Sequence, residues 1–136
     1  MAKTFAGFSK KMPAFFRGLE RNNTREWFAP RKELFEAEVR GPMVELVGLV
    51  NEDLKKFAID NAVTDPKRAI YRLYRDTRFS KDKTPYKSHI GATFPRRGLP
   101  KHAGAGFYEL HLRGGRLQSL LPEPALRIAD GIWSSG

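Results

Sequence analysis

The chain has 136 residues, 40% of them hydrophobic, and a formal net charge of +10, which suits one compact basic domain with its own core. It has no cysteine, excluding disulfides, thiolate metal ligands and a cysteine nucleophile. Its longest stretch free of Asp, Glu, Lys and Arg, Ser88 to Pro95, is eight residues, far below the ~20 that a membrane helix needs.

Lys10 and Lys11 interrupt the N-terminus before an apolar signal core can develop, so no export signal is read and a cytoplasmic location is expected. Phe8, Met12, Phe15, Phe16 and Leu19 recur at helical spacing, with Pro13 suited to a first helical position, and predict a helix from Pro13 to Arg21. Asn23 followed by Glu26 reads as an N-cap pattern. Trp27, Phe28, Leu34 and Phe35 then continue one apolar face to Arg40, with a kink or fresh start at Pro30 and an end or bend at Gly41-Pro42. Met43, Leu46, Val47, Val50, Leu54 and Phe57 give a clean amphipathic stripe. Residues 58–66 read as a loop. Beyond it, Arg68–Arg75, Ser88–Phe94 and Gly106–Leu112 are predicted strands. The expected class is α+β, with N-terminal helices packed on a small antiparallel sheet. The single domain 1–136 divides by character into a helical part (1–57), a basic strand and loop part (67–112) and a tail (113–136).

The charge is localised. Residues 67–101 hold 11 basic and 2 acidic side chains, net +9, while residues 1–66 are net +1 and residues 102–136 are neutral. A concentrated field of this kind attracts anions. Arg68, Arg72, Arg75, Arg78, Lys81, Lys83 and Lys87 are the candidate anion-binding residues, because guanidinium forks and ammonium groups hold phosphate oxygens. Ser80, Thr84 and Ser88 add hydroxyls. Tyr71, Tyr74 and Tyr86, with Phe79, interleave aromatic rings on which bases could stack.

His89, His102 and His111 are 13 and 9 residues apart, which matches no metal-ligand spacing, so no metal is expected. His89 and Asp76 are the weak candidates for moving protons. The glycine-rich stretch from Gly98 to Gly106 lacks the order of a nucleotide-binding P-loop, and no cofactor is implied.

The strings NNTREWF (Asn22 to Phe28) and DPKRAIYRLYRDTRFSKDKTPYKSHIGATFPR (Asp65 to Arg97) resemble the bacterial family called domain of unknown function 2461. The similarity covers roughly residues 5 to 108. It implies no reaction and no catalytic residue, since none is established for the family. After Tyr108 the likeness loosens, and the tail is expected to be a truncated, frame-shifted or divergent end, with an open sheet edge as its consequence. Three functions stay open: a module binding phosphate-bearing ligands, nucleic acid among them; an enzyme acting on a small phosphorylated or carboxylated substrate; and a structural domain neutralised by internal salt bridges.

Overall fold

Helix α1 (Lys11–Arg21) buries Met12, Phe15, Phe16 and Leu19 on one face in a computed structural model that describes residues 7–95, 108–113 and 116–120. Arg96, Arg97, His102 and most of the tail lie outside the described residues. Helix α2 (Arg25–Phe28) is capped by Thr24, whose hydroxyl accepts from the Trp27 N–H at 3.2 Å. The cap falls one residue later than predicted because Asn23 is engaged elsewhere. Its amide donates to the Tyr86 carbonyl at 2.8 Å, and its side-chain oxygen accepts from the Tyr86 N–H at 3.0 Å.

The predicted break at Pro30 is a 3-10 turn over Ala29–Arg31, after which α3 (Lys32–Phe35) resumes the helix. A π turn over Glu36–Arg40 then leads directly into α4 (Gly41–Phe57). Gly41-Pro42 thus opens a helix instead of ending one. Pro42 has no N–H for the preceding turn, and the wide turn, closed by the Gly41 N–H on the Glu36 carbonyl, places it in the first turn of α4, where that lack is tolerated. Met43, Leu46, Val47, Val50 and Leu54 are buried as the stripe predicts, whereas Phe57 is left partly exposed. Asn51, buried in the same helix, exchanges two hydrogen bonds with the Val63 backbone and pins the loop that follows.

The sheet is antiparallel, in the order β1 (His89–Phe94), β2 (Tyr108–Arg113), β3 (Arg116–Leu120). Ile90, Ala92, Phe94, Leu110 and Leu112 point into the helices, and with the helical apolar residues they form one core. The other face of β1 and β2 carries His89, Gly91 and Thr93 opposite Arg113, His111 and Glu109. β3, which the sequence reading left in the tail, covers the second edge of β2.

The predicted strand Arg68–Arg75 is replaced by something looser. Asp65 accepts from the Lys67 N–H and starts a 3-10 turn over Pro66–Ala69, which keeps Arg68 and Ala69 out of extended geometry. From Ile70 onward the chain is extended but meets its neighbour only through the isolated bridges Ile70–Ala92 and Tyr74–Tyr86. Three residues lie between Ile70 and Tyr74, and five between Tyr86 and Ala92. The surplus forms a bulge around Ser88 and His89, and Pro85, having no N–H, cannot continue the ladder. Exposure still alternates along the segment, with Tyr71, Leu73 and Arg75 turned inward and Arg72 and Tyr74 outward.

Candidate anion-binding site

Bulges re-aim side chains, and this one lies beside a cleft of about 420 Å³ lined by Glu20, Asn23, Arg75, Asp82, Thr84, Tyr86, Lys87, Ser88, His89 and Arg113. Three elements build it. The α1 end supplies Glu20, the loop between Arg75 and Lys87 supplies one wall, and the paired ends of β1 and β2 place Arg113 directly across from His89. The Asn23 clamp on Tyr86 holds the helix end against the loop.

Arg75 braces the loop from inside. Its guanidinium donates to the Thr84 carbonyl at 3.0 Å and hydroxyl at 2.6 Å, and pairs with Asp82 at 3.1 Å. The Asp82 carboxylate in turn accepts from the Thr84 N–H and hydroxyl, and those bonds together with Arg75 hold its pKa below the usual range. Arg78 forks onto Asp76 at 3.1 and 3.0 Å, and this brings the Asp76 pKa down to about 2. A carboxyl held there stays ionised at neutral pH and is a poor proton carrier. Lys83 donates to the Thr77 carbonyl.

His89 is half-buried, and burial lowers its pKa below the ordinary value, with His111, Lys87 and Arg113 adding like-charge repulsion. It is thus biased to the neutral form. Behind it His111 lies with its ring 5.6 Å from that of His89 and its Nε2 2.6 Å from a Glu109 carboxylate oxygen. Gly91 makes room for that ring, since a Cβ there would stand 2.9 Å from the His111 Nδ1. Tyr71 closes the same face, its hydroxyl hydrogen-bonded to Thr93 and its ring 5.4 Å from the Lys87 ammonium. Burial raises the pKa of Tyr86, keeping its phenol protonated.

The seven cations named from the sequence therefore do not converge. Arg75 and Lys87 line the cleft with His89, and Arg78 and Lys83 are tied within the loop. Arg68, Arg72 and Lys81 are exposed away from it and form no ion pair among the described residues. None of Arg68, Arg72, Arg75, Arg78, Lys81 and Lys83 reaches a helix carboxylate; Arg75 and Arg78 pair with acids of their own loop. Arg113 and Asn23 escaped the sequence reading as site residues. Arg113 depends on the β1–β2 register across a long connection, whereas Asn23 stood in the NNTREWF string and had a signal. Among the described residues no group of His, Asp and Glu could hold a metal ion, and no helix is long and apolar enough to cross a membrane.

Helices laid on one side of a three-stranded antiparallel sheet, with a polar opposite face and a cleft at the sheet's end, define the class: an α+β domain of two layers. The chain belongs to the conserved hypothetical protein family DUF2461, which it matches over residues 11–133, well past the point at which the likeness was expected to loosen. It matches no curated protein and no solved structure.

Proposed function

We propose that the chain is an anion-binding module that takes a small phosphate- or carboxylate-bearing ligand in the cleft between the Arg75–Lys87 loop and the β1–β2 end. The observation that carries this reading is the cross-strand pair of His89 and Arg113, set beside Lys87 and Ser88 by the bulge. Arg113 has no ion-pair partner among the described residues, and the His89 imidazole makes no side-chain hydrogen bond to any of them. An oxyanion entering there would accept from the Arg113 guanidinium, the Lys87 ammonium and the Ser88 hydroxyl. Its charge would also offset the repulsion that lowers the His89 pKa, so His89 would take up a proton and become a further donor.

The depressed pKa of His89 also supports the enzyme reading. A neutral imidazole can accept a proton near pH 7 where the cations of the cleft neutralise the substrate's charged end. The internal salt-bridge reading accounts for Arg75 and Arg78, each paired inside the loop, and not for Arg113.

Calorimetry with inorganic phosphate tests the proposal. Wild type should bind, Arg113→Ala should bind about 10- to 100-fold more weakly, as expected for loss of a charged hydrogen bond, and Arg68→Ala should bind as wild type. Absence of phosphate binding, or equal affinity in Arg113→Ala, would overturn it.

A further inference from the structure

A second concavity lies on the other side of Tyr86. Arg25, Phe28, Ala29, Lys32, Tyr74 and Tyr86 line a groove of about 440 Å³, within the range of small-ligand sites. Its floor is aromatic. The Phe28 and Tyr86 rings lie 4.7 Å apart, and Tyr74 stands 5.3 Å from Tyr86 while remaining 54% exposed. Its rim is cationic, because Arg25 and Lys32, seven residues apart along the helical run, are both exposed and form no ion pair with any described residue.

Further along the same loop Phe79 is 94% exposed. An isolated exposed apolar residue is common on protein surfaces. This one is a full phenyl ring, stacked at 5.7 Å by the Arg78 guanidinium and by no other ring or cation among the described residues, with Lys81 and Lys83 nearby in the chain and Arg72 flanking Tyr74. Aromatic faces alternating with cations suit a ligand that itself alternates flat rings with negative charge.

We infer that the groove and the Phe79 loop bind single-stranded nucleic acid, with bases stacked on Tyr74 and Phe79 and phosphates facing Arg25, Lys32, Arg72 and Lys81. Unpaired bases are required because a duplex keeps its ring faces occupied. Stacking on aromatic platforms with cations along the backbone is tolerant of sequence, and no array of buried hydrogen-bonding groups in the groove selects one base. An anionic membrane suits the surface less well. Interfacial segments bury a continuous apolar face, whereas the neighbours of Phe79 are Arg78, Ser80, Lys81, Asp82 and Lys83. The inference does not depend on the phosphate cleft, since the two concavities share only Tyr86.

Fluorescence anisotropy of a labelled oligothymidylate of about a dozen nucleotides, a length within known single-strand site sizes, provides the test. Binding should weaken with salt at a log–log slope of about −3, the value for some four phosphate contacts on a single strand. Tyr74→Ala and Phe79→Ala should each lose roughly tenfold in affinity. Tyr74→Phe should retain wild-type binding, as should Phe57→Ala, which removes an exposed ring elsewhere, and Arg113→Ala, which alters the cleft. Both alanine variants replace exposed rings, and unchanged thermal midpoints would establish that they are folded. Equal binding by Tyr74→Ala and Phe79→Ala, equal affinity for a duplex or a mononucleotide, or capture by phosphatidylserine vesicles without oligonucleotide binding would each overturn the inference.

Discussion

His89 is pulled two ways: half-burial against the His111 ring on the outer face of β1 withdraws it from water, and the cleft surrounds it with charge. Burial is the first cause of its lowered pKa, followed by His111, Lys87 and Arg113; Arg75, Glu20 and Asp82 line the same cleft. Because the unfolded chain takes up this proton more readily than the folded one, the contribution to stability is complete above about pH 6.5, the value for an unperturbed histidine. It is lost as the pH falls from there through the lowered folded value. The denaturant midpoint of wild type should therefore drop between about pH 7 and pH 5 more than that of His89→Gln, with the two profiles meeting above the unperturbed pKa. Parallel profiles would remove His89 as the source. Asp76 offers a second check, since its pKa of about 2 is due first to the side-chain bond with Arg78. In Arg78→Ala its carbon resonances should titrate nearer the ordinary 3.8. Both residues were legible as candidates from their neighbours in the chain. Their different fates were not, because one depends on a contact two residues away and the other on a strand partner 24 residues on.

The helices were readable because each buries an apolar stripe at helical spacing, and that pattern survives the 3-10 and π turns that interrupt it. What the stripe cannot reveal is how the helix accommodates Pro30 and Pro42, since both fit a break as well as a continuation. The Arg68–Arg75 segment failed as a strand for local reasons on both sides: an Asp65-capped turn at its start, and a bulge in its partner. The bulge is also what gives the sheet end its polar cleft, so the misread element is the one that builds the candidate site. On the same strand Gly91 has a purely steric role. An added Cβ would stand 2.9 Å from the His111 ring and 3.1 Å from the Leu110 carbonyl oxygen, so ring and strand cannot both stay in place. Gly91→Ala should destabilise the fold by about 1–3 kcal/mol, the usual range for overpacking. It should also displace the His111 ring, read as a changed chemical shift. An unchanged melting curve together with an unchanged His111 resonance would show that the strand yields freely.

Across the whole molecule, the +9 segment announced an attraction for anions without saying where they would bind. The fold splits that charge: part braces a loop, part faces the cleft, and part flanks an aromatic groove whose other cations, Arg25 and Lys32, come from a helical region that is nearly neutral overall. Tyr86 is the shared wall, buried with its ring against Phe28 and Tyr74. Its backbone is held by Asn23 through two hydrogen bonds that span 63 residues. This gives the NNTREWF string a physical role: Thr24 caps α2, Phe28 supplies the floor of the groove, and Asn23 fastens the helices to the loop. Asn23→Ala removes both bonds and leaves the Tyr86 amide and carbonyl without those partners. At about 0.5–1.5 kcal/mol for each bond, the expected loss of stability is about 1–3 kcal/mol. The functional signature differs from that of Arg113→Ala in the cleft or Tyr74→Ala in the groove. Arg113→Ala should weaken phosphate alone and Tyr74→Ala oligonucleotide alone, whereas freeing Tyr86 disturbs the wall common to both, so Asn23→Ala should weaken both ligands although Asn23 lines only the cleft. Measuring the two affinities below the variant's unfolding transition separates this from simple unfolding. If Asn23→Ala weakens only one of them, Tyr86 does not couple the two sites.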